Sequence, residues 1–524
     1  MKLHLRMTAP ATALPVMLAF AACSPAPYDI VLQGGRVVDG TGSPPVVADV
    51  GVRDGLVAGV GDLSDAPAVT ILDVTGLYVA PGFIDTHSHA GPGLATEELS
   101  HGEPLLAQGL TTVVVNPDGG GPVGLVEQRA ELEEEGLGVN VAQLVGHGSV
   151  RGQVMASDDR APTADELDEM RALVRTGMEA GAWGLSSGTF YTPGSYSENS
   201  EMIELARVAA EYGGIYTSHI RDESNYTIGV LAAVEEVIDV SRQSGITGVV
   251  THIKALGPPV WGSAAAMVER IEAARAEGLS VYADQYPYLA SATGLSAALL
   301  PRWSQAGGSG AFAERVADPD ARARIREAMV ENLARRGGAD RIQFRRFEED
   351  PSIEGRLLSD LATERDADPI DVALELILQG GPSIVSFNMS EDDLLTLMTQ
   401  EWTMTSSDGG LPLFGVGVPH PRSYGAFARK IGVFVFQDEV MSLEAAVRSM
   451  TALPAEVMGM EDRGRIEEGM VADLVVFSDY FKDNATFTEP HQLSSGVVHL
   501  FVGGEAAILN SAFTGARAGQ VLAR

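Results

Sequence analysis

The chain has 524 residues, of which 45% are hydrophobic and 20% are charged, a composition typical of a globular protein with a sizeable core. Its 71 acidic and 36 basic residues give a formal charge of −35. Such a surface repels nucleic acids and anionic membranes, so we expect neither as a partner and interpret the acidity as a contribution to solubility.

Residues 1–27 have the features of an export signal followed by a short tether. Lys2 and Arg6 precede an apolar run that ends in two alanines and is too short to span a membrane. The next residue, Cys23, is the only cysteine, which excludes an intrachain disulfide and a multi-cysteine metal site. Its position resembles that of the lipid-bearing cysteine of bacterial lipoproteins. We predict an exported bacterial protein, in the periplasm or attached to the outer membrane through Cys23; ordinary signal cleavage is the alternative.

Residues 28–81 and 460–524 carry short apolar runs separated by turn dipeptides. Asp54-Gly55 lies between two such runs, and Gly503-Gly504 lies between two others. Dipeptides of this kind favour tight hairpins. We therefore predict that both chain ends together form one small β-sandwich domain, with residues 82–459 inserted between them.

The long central part alternates apolar, β-rich runs with helical stretches. Eight such runs lie at 78–84, 111–115, 139–145, 182–185, 214–217, 246–250, 279–283 and 402–405. Repeated βα units predict a parallel sheet, and eight units fit an α/β fold of the (β/α)₈ TIM-barrel type. The interval at about 291–347 is Arg-rich, helical and too long for one crossover, so we predict an insertion over the open end of the barrel.

Most of the eight runs end in residues suited to metal binding or acid-base chemistry. These residues are Asp85, His87, His89, Asn116, Asp118, His147, His219, His252, Lys254 and Asp408. In a parallel barrel all these ends open on the face that holds active sites. His87 and His89 are two apart on a strand, so they point to the same side and can share one ion. Imidazoles and a carboxylate, with a position left for water, predict a catalytic zinc site.

The motifs resemble a known enzyme family. The segment 82–89, with the later histidines and Asp408, resembles the amidohydrolase superfamily. The segments 184–194, 286–288 and 420–425 are similar to the D-aminoacylases, the N-acyl-D-amino-acid deacylases. The resemblance runs from about residue 28 to the C-terminus, and the motifs follow the family order.

The resemblance implies a zinc-dependent hydrolase that deacylates N-acyl-D-amino acids to a carboxylate and a free D-amino acid. His219 and His252 would hold a tight zinc ion, His87 and His89 a second, weaker one, and Asp408 would be the general acid-base and a ligand. The substrate would be a small N-acyl amino acid or a short peptide.

Two positions depart from the family pattern. Asp118 stands where many members have a cysteine ligand, and we predict that its carboxylate replaces the thiolate; capping of the Pro-Asp-Gly turn is the alternative. Ser186 and Ser187 stand where many members of the superfamily carry a carboxylated lysine. The number of metal ions, one or two, therefore stays open.

Other polar residues are candidates for substrate binding. Lys254 follows His252 by two residues and faces the same side, so with Arg422, Tyr286 and Tyr191 it is predicted to contact the substrate. A simple ion pair for Lys254 and a loop hydrogen bond for Arg422 are the alternatives. His147 is predicted either to contact the substrate or to support a ligand by a hydrogen bond.

Rival functions remain open. The segment Gly184–Gly188 has the letters of the serine-hydrolase nucleophile elbow, but the elbow needs a helix directly after its serine, and a loop is predicted here. A metal hydrolase of D-containing dipeptides or cyclic amides is a second candidate. A non-catalytic envelope lipoprotein is the third, and the set of histidines argues against it. The oligomeric state is left open.

Overall fold

The computed structural model describes Met1 and residues 26–524, so the predictions for the export signal and Cys23 fall outside the described residues. The strands in this part are β1 (Tyr28–Val37), β2 (Val46–Arg53), β3 (Leu56–Gly61), β4 (Ala68–Asp73), β5 (Tyr78–Pro81), β6 (Phe83–Asp85), β7 (Ser88–His89), β8 (Leu110–Val115), β9 (Asn140–Gln143), β10 (Val145–Gly146), β11 (Gly184–Gly188), β12 (Ile215–His219), β13 (Thr247–Val250), β14 (Val281–Gln285), β15 (Ser291–Gly294), β16 (Ile342–Arg346), β17 (Ser383–Ser386), β18 (Thr403–Thr405), β19 (Gly409–Gly410), β20 (Leu474–Lys482), β21 (Ser495–Val502), β22 (Glu505–Leu509), β23 (Ala512–Phe513) and β24 (Val521–Leu522).

The α-helices are α1 (Gly91–Leu94), α2 (Glu103–Leu106), α3 (Leu125–Glu134), α4 (His147–Met155), α5 (Ala164–Glu179), α6 (Asn199–Glu211), α7 (Val230–Ser244), α8 (Ala264–Ala276), α9 (Leu295–Leu299), α10 (Gly308–Ala317), α11 (Pro319–Arg335), α12 (Leu358–Glu364), α13 (Pro369–Leu378), α14 (Glu391–Met398), α15 (Arg422–Arg429), α16 (Leu443–Met450) and α17 (Ala452–Met458). Within the described ranges, no helix is long and apolar enough to cross a bilayer.

Strands from both chain ends form one nine-stranded sheet. Its order is β23-β22-β21-β20-β5-β1-β2-β3, and β4 pairs with β1. The turn between β2 and β3 has positive φ at Asp54 and Gly55, as a tight hairpin turn needs. A core that includes Leu32, Val50 and Phe501 fills one face of this sheet. The hairpin dipeptides seen in the sequence thus lie at the turns they predict.

The central part is the predicted (β/α)₈ barrel. Parallel strands run in the order β6-β8-β9, and continue as β10-β11-β12-β13-β14-β18. Residue Leu144, between β9 and β10, keeps the contact with β8 by donating to the carbonyl of Val115 at 3.2 Å. The barrel closes through the parallel pair β19–β7 and a hydrogen bond from Asp408 N to His87 O of 2.9 Å. All eight predicted runs supply barrel strands.

The first predicted run, 78–84, is split in the structure. Its first half is β5 in the nine-stranded sheet, and its second half is β6 in the barrel. The break falls at Gly82, where a Cβ atom would lie 2.3 Å from the side chain of Thr111. A glycine is therefore required where the chain passes from one sheet to the other.

The insertion has a small sheet and a core of its own. Strands β15 and β16 both pair antiparallel with β17, and helices α9 to α13 pack around residues such as Phe344 and Ile384. This unit runs from 291 to 386, longer than the expected 291–347. The reason is that β17 is the central strand of its sheet and α13 contributes apolar residues to the same core.

Candidate metal centre and active site

His87 and His89 reach the barrel mouth on the segment that follows β6. Asp85, fully buried, holds this segment: its carboxylate accepts hydrogen bonds from His87 N at 3.2 Å and from Ser407 N at 2.9 Å. Burial raises the pKa of Asp85 to about 6, against the hydrogen bonds that lower it. Asp85 thus ties the first barrel strand to the loop after the last one, next to Asp408.

Asp118 lies at the centre of the four predicted histidine ligands. Its Oδ1 is 3.3 Å from His87 Nε2, 3.6 Å from His219 Nδ1 and 3.4 Å from His252 Nε2. Its Oδ2 is 3.4 Å from His89 Nε2. The carboxylate faces both histidine pairs at once, which is the position of a bridging ligand rather than of a turn cap alone.

Asp408, which follows the last barrel strand β18, lies beside His87 and His89. Its Oδ1 lies 3.2 Å from His89 Nε2, and its Oδ2 lies 2.7 Å from Arg422 Nη1. Burial alone raises the pKa of Asp408, but Arg422 and His252 lower it well below its usual range. The carboxylate is therefore ionised at neutral pH, which is the form that a general base needs.

Four residues of this centre have positive φ although none is glycine. They are Asn116 (64°), Asp118 (55°), His252 (35°) and Asp408 (49°). Left-handed backbone is strained for such residues and persists only where the surroundings enforce it, most often at functional sites. The strain lets each loop turn its side chain into the mouth directly after its strand.

The donor atoms fit a metal centre. One group comprises His87, His89, Asp118 and Asp408, and a second comprises Asp118, His219 and His252; within each, the ligand atoms lie within 4.8 Å of one another. His219 Nδ1 and Asp118 Oδ1 are buried without a hydrogen-bond partner in the described part of the chain. Imidazole and carboxylate donors with this spacing suit zinc. Two ions that share Asp118 would satisfy all these donors.

Glu223 belongs to the site, although no motif in the sequence indicates it. Its Oε1 lies 2.5 Å from Lys254 Nζ and 3.1 Å from His252 Nδ1, and its Oε2 lies 3.7 Å from His219 Nε2. Burial raises the pKa of Glu223, but the neighbouring Lys254 lowers it well below its usual range. A carboxylate this close to His252 Nδ1, the nitrogen that faces away from Asp118, can orient that ring. The only sequence signal is its place four residues after His219.

Lys254, Arg422 and Tyr286 form one cationic wall of the cavity. Lys254 Nζ lies 5.6 Å from the centre of the Tyr286 ring, and the Arg422 guanidinium lies 4.7 Å from it. Both cations also contact an acid, Glu223 and Asp408 respectively. Lys254 therefore forms the ion pair that was considered as the alternative. It also lines the cavity, so its role in substrate binding stays a prediction.

Tyr191 faces the metal ligands from the loop after β11. Its ring packs edge-on against His219 at 4.6 Å, and its hydroxyl lies 3.2 Å from the Thr293 hydroxyl of the insertion. Burial raises the pKa of Tyr191 far above its usual value, so the phenol keeps its proton. It can therefore donate a hydrogen bond into the cavity.

The contact of His147 with the substrate stays a prediction, and the structure places its ring against a neighbouring helix. His147 starts α4, is fully buried, and its Nε2 lies 2.8 Å from Glu201 Oε1 on α6. It is not among the residues that line the cavity. Its ring packs α4 against α6 instead of turning into the mouth.

The hydrogen bonds of Ser186 and Ser187 exclude the alternative of a serine nucleophile on a nucleophile elbow. The Ser186 hydroxyl donates to Asn116 O at 2.6 Å, and the Ser187 hydroxyl contacts Tyr216 at 2.8 Å and Ser218 at 3.0 Å. These partners include no histidine. Strand β11 is followed by a turn rather than a helix, so the serines are structural.

A cavity of about 960 Å³ lies between the metal ligands and the insertion. It is lined by the mouth residues described above and by residues of the insertion, among them Thr293, Arg336, Arg345 and Ser383. This volume accommodates a small organic substrate.

Comparisons with known proteins identify the family of the chain. Residues 70–508 match the amidohydrolase family. The N-acyl-D-glutamate deacylase of Alcaligenes xylosoxydans xylosoxydans is 37% identical over 519 residues, covering 95% of this chain and 96% of that protein. The structure of the N-acyl-D-glutamate deacylase from Bordetella bronchiseptica, complexed with zinc and a phosphonate mimic of the tetrahedral intermediate, is 34% identical, with a TM-score of 0.82 over 95% of this chain and 100% of that chain.

A D-aminoacylase structure described for the role of its binuclear metal centre is 33% identical, with a TM-score of 0.81 and the same coverage. The family model matches most of the chain, and each of these three relatives covers 95% of it. The chain belongs to the amidohydrolase family, in the group of the D-aminoacylases.

Proposed function

We propose that this protein is a zinc-dependent hydrolase that cleaves the amide bond of N-acyl-D-amino acids and releases a carboxylate and a free D-amino acid. The observation that carries the proposal is the meeting of four imidazoles and two carboxylates at one barrel mouth, beside a cationic wall. The deacylase activity of relatives up to 37% identical supports the same reaction.

His219, His252 and Asp118 would hold one zinc ion, and His87 and His89 would share Asp118 with a second. Zinc at such a site polarises the acyl carbonyl and lowers the pKa of a water molecule to about 7. Asp408 is the general base: it takes the proton of the attacking water and then delivers it to the amide nitrogen, because a neutral amine leaves far more readily than an amide anion.

The protein's own side chains orient the substrate. Lys254, Arg422 and Tyr286 receive the α-carboxylate, which places the scissile amide between the cationic wall and Asp408. Tyr191 donates a hydrogen bond to the carbonyl oxygen as negative charge develops on it. Arg422 also keeps Asp408 ionised, so it acts on both the substrate and the base.

A paired substrate panel tests the proposal. Purified protein is supplied with zinc and incubated with N-acetyl-D- and N-acetyl-L-amino acids, D-containing dipeptides and hydantoins, and release of free amine is measured. We expect turnover of the N-acetyl-D forms. No release from any N-acetyl amino acid would refute the deacylase, release from the L forms alone would refute the stereochemistry, and release from dipeptides or hydantoins alone would favour the alternative substrates.

We propose further that the protein is exported and anchored by a lipid at Cys23. The basic start, the short apolar run and the small residues before Cys23 support this. Labelled palmitate should enter the wild-type protein and not Cys23→Ser, and the variant should move from the membrane to the soluble envelope fraction. Equal labelling of both proteins, or an unlabelled wild type, would contradict the anchor.

A further inference from the structure

Arg345 lines the cavity from the insertion, at an irregular point in strand β16. Phe344 pairs with Ile384 and Arg346 pairs with Ser383, so Arg345 is the extra residue of a β-bulge. A bulge re-aims the side chain it carries. While Phe344 packs into the insertion's own core, Arg345 is turned toward the cavity.

The charge of Arg345 has no carboxylate partner among the residues that the structure describes. Its polar side-chain contact is from Nε to the Ser383 hydroxyl, at 3.3 Å. The next residue, Arg346, also lines the cavity, but it is paired with Glu354 at 3.0 Å and Glu348 at 3.4 Å. Two adjacent arginines therefore differ in one respect: one guanidinium is neutralised within the protein and the other is not.

A second cation of the same cavity also has no acidic partner in the described part of the chain. Arg336 is 1% exposed, and its Nη1 donates to the Ser386 hydroxyl at 3.0 Å. Burial and the charge of Arg422 lower the pKa of Arg345 to about 10, so Arg345 remains protonated at neutral pH. Unpaired guanidinium groups in a concave site are costly unless a ligand supplies the anion. Because the chain as a whole carries a charge of −35, the two arginines make this cavity a local positive site. Such a site favours an anionic ligand.

We propose that Arg345 binds a second carboxylate of the substrate, on the side chain of a dicarboxylic D-amino acid, and so sets the specificity of the enzyme. This inference rests on the proposed function, in which Lys254 and Arg422 already receive the α-carboxylate. We place the second carboxylate on the amino-acid half of the substrate rather than on the acyl half, because Arg422, which receives the α-carboxylate, lines the same cavity as Arg345. Arg336 adds to the positive potential of the same cavity.

The test compares N-acetyl-D-glutamate with N-acetyl-D-glutamine, which has the same shape without the charge. We expect the wild type to prefer the glutamate form in kcat/KM by at least about 10-fold, the effect of one charge-assisted hydrogen bond. Arg345→Met should lose about 10- to 100-fold on N-acetyl-D-glutamate and less than about twofold on N-acetyl-D-glutamine. Arg345→Lys should keep part of the preference, which shows that loss in Arg345→Met is not misfolding.

Arg346→Met is the matched control, because Arg346 lines the same cavity and already has acidic partners. It should leave the glutamate-to-glutamine ratio unchanged. An equal loss on both substrates in Arg345→Met, or an unchanged ratio, would overturn the inference. A third result would also overturn the inference: the wild type prefers N-succinyl-D-glutamine over N-acetyl-D-glutamine, and Arg345→Met removes this preference. The second carboxylate would then belong to the acyl group.

Calorimetric binding of the same two ligands separates this inference from the proposed function. If the protein turned over no N-acyl-D-amino acid, the deacylase would fail. The subsite would still stand if N-acetyl-D-glutamate bound at least about 10-fold more tightly than N-acetyl-D-glutamine to the wild type and equally to Arg345→Met. Equal binding of the two ligands to the wild type would refute the subsite.

Discussion

Replacing Glu223 with glutamine isolates the role of the carboxylate behind the metal ligands. The side chains of Glu223 and Lys254 are both 4% exposed, and their charged atoms lie 2.5 Å apart. Two unit charges at this distance attract by about 7 kcal/mol at an effective dielectric constant of about 20. Desolvation offsets part of this attraction, so breaking a buried pair costs about 3–5 kcal/mol. Glu223→Gln should lower the free energy of unfolding by that amount.

The same substitution should weaken zinc binding. Glu223 Oε1 lies 3.1 Å from Nδ1 of His252, a candidate zinc ligand, and loss of such a partner typically costs about 10- to 100-fold in metal affinity. Calorimetry measures the stability of the metal-free protein, and competition with a zinc-binding dye measures the affinity. Adding Lys254→Met to Glu223→Gln should restore much of the stability, because no buried charge is left alone, but not the zinc affinity.

Glu348→Gln is the control for Glu223→Gln, since Glu348 lines the same cavity but is exposed and contacts Arg346 alone among the basic residues described, at 3.4 Å. It should change stability by less than about 0.5 kcal/mol. If Glu223→Gln matched the wild type in both stability and zinc affinity, the assignment of Glu223 as the residue that orients the ligands would be refuted.

Three further outcomes are expected. Asp408→Asn should keep the wild-type zinc content in elemental analysis but lose about 10²- to 10⁴-fold in kcat/KM, because the general base is removed. Asp118→Ala should lose zinc, whereas Asp118→Cys should recover it, because a thiolate can occupy the bridging position. Lys430 is buried, and its Nζ donates to the hydroxyls of Thr405 at 2.8 Å and Ser449 at 2.9 Å. Burial lowers the pKa of Lys430 to about 7. An unfolded lysine binds its proton up to a pKa of about 10.4, so the unfolded state holds more protons between these values, and stability should rise from pH 7 to pH 9. Lys430→Met should remove this dependence in thermal melts.

Each of these outcomes has a clear opposite. An active Asp408→Asn enzyme would overturn the acid-base assignment, and full zinc content in Asp118→Ala would show that the carboxylate is not a ligand. The same pH slope in wild type and Lys430→Met would show that another group causes it.

The sequence predicted the barrel and the meeting of the candidate metal ligands at one mouth because both follow from short-range rules. Parallel strands place their carboxyl ends on one face, so His219, His252 and Asp408 could be assigned to one mouth from their positions after apolar runs. Asp118 could be assigned in the same way, and its contacts with all four histidines make it the centre of the site.

Other features depend on tertiary contacts that no local pattern reveals. Glu223 lies on a loop, and only the approach of Lys254 and His252 gives it a role. His147 also follows a barrel strand, but its ring turns to Glu201 on a neighbouring helix. Arg345 reaches the cavity because of a bulge whose register depends on strand β17, almost 40 residues away.

Diffraction from zinc-soaked crystals, with anomalous data at the zinc edge, tests the central claim most directly. We expect two anomalous peaks, each about 2.0–2.2 Å from its ligand atoms. One should lie beside His219 and His252, the other beside His87 and His89, with Asp118 between them. Zinc bound elsewhere, or no peak within reach of these four imidazoles, would contradict it.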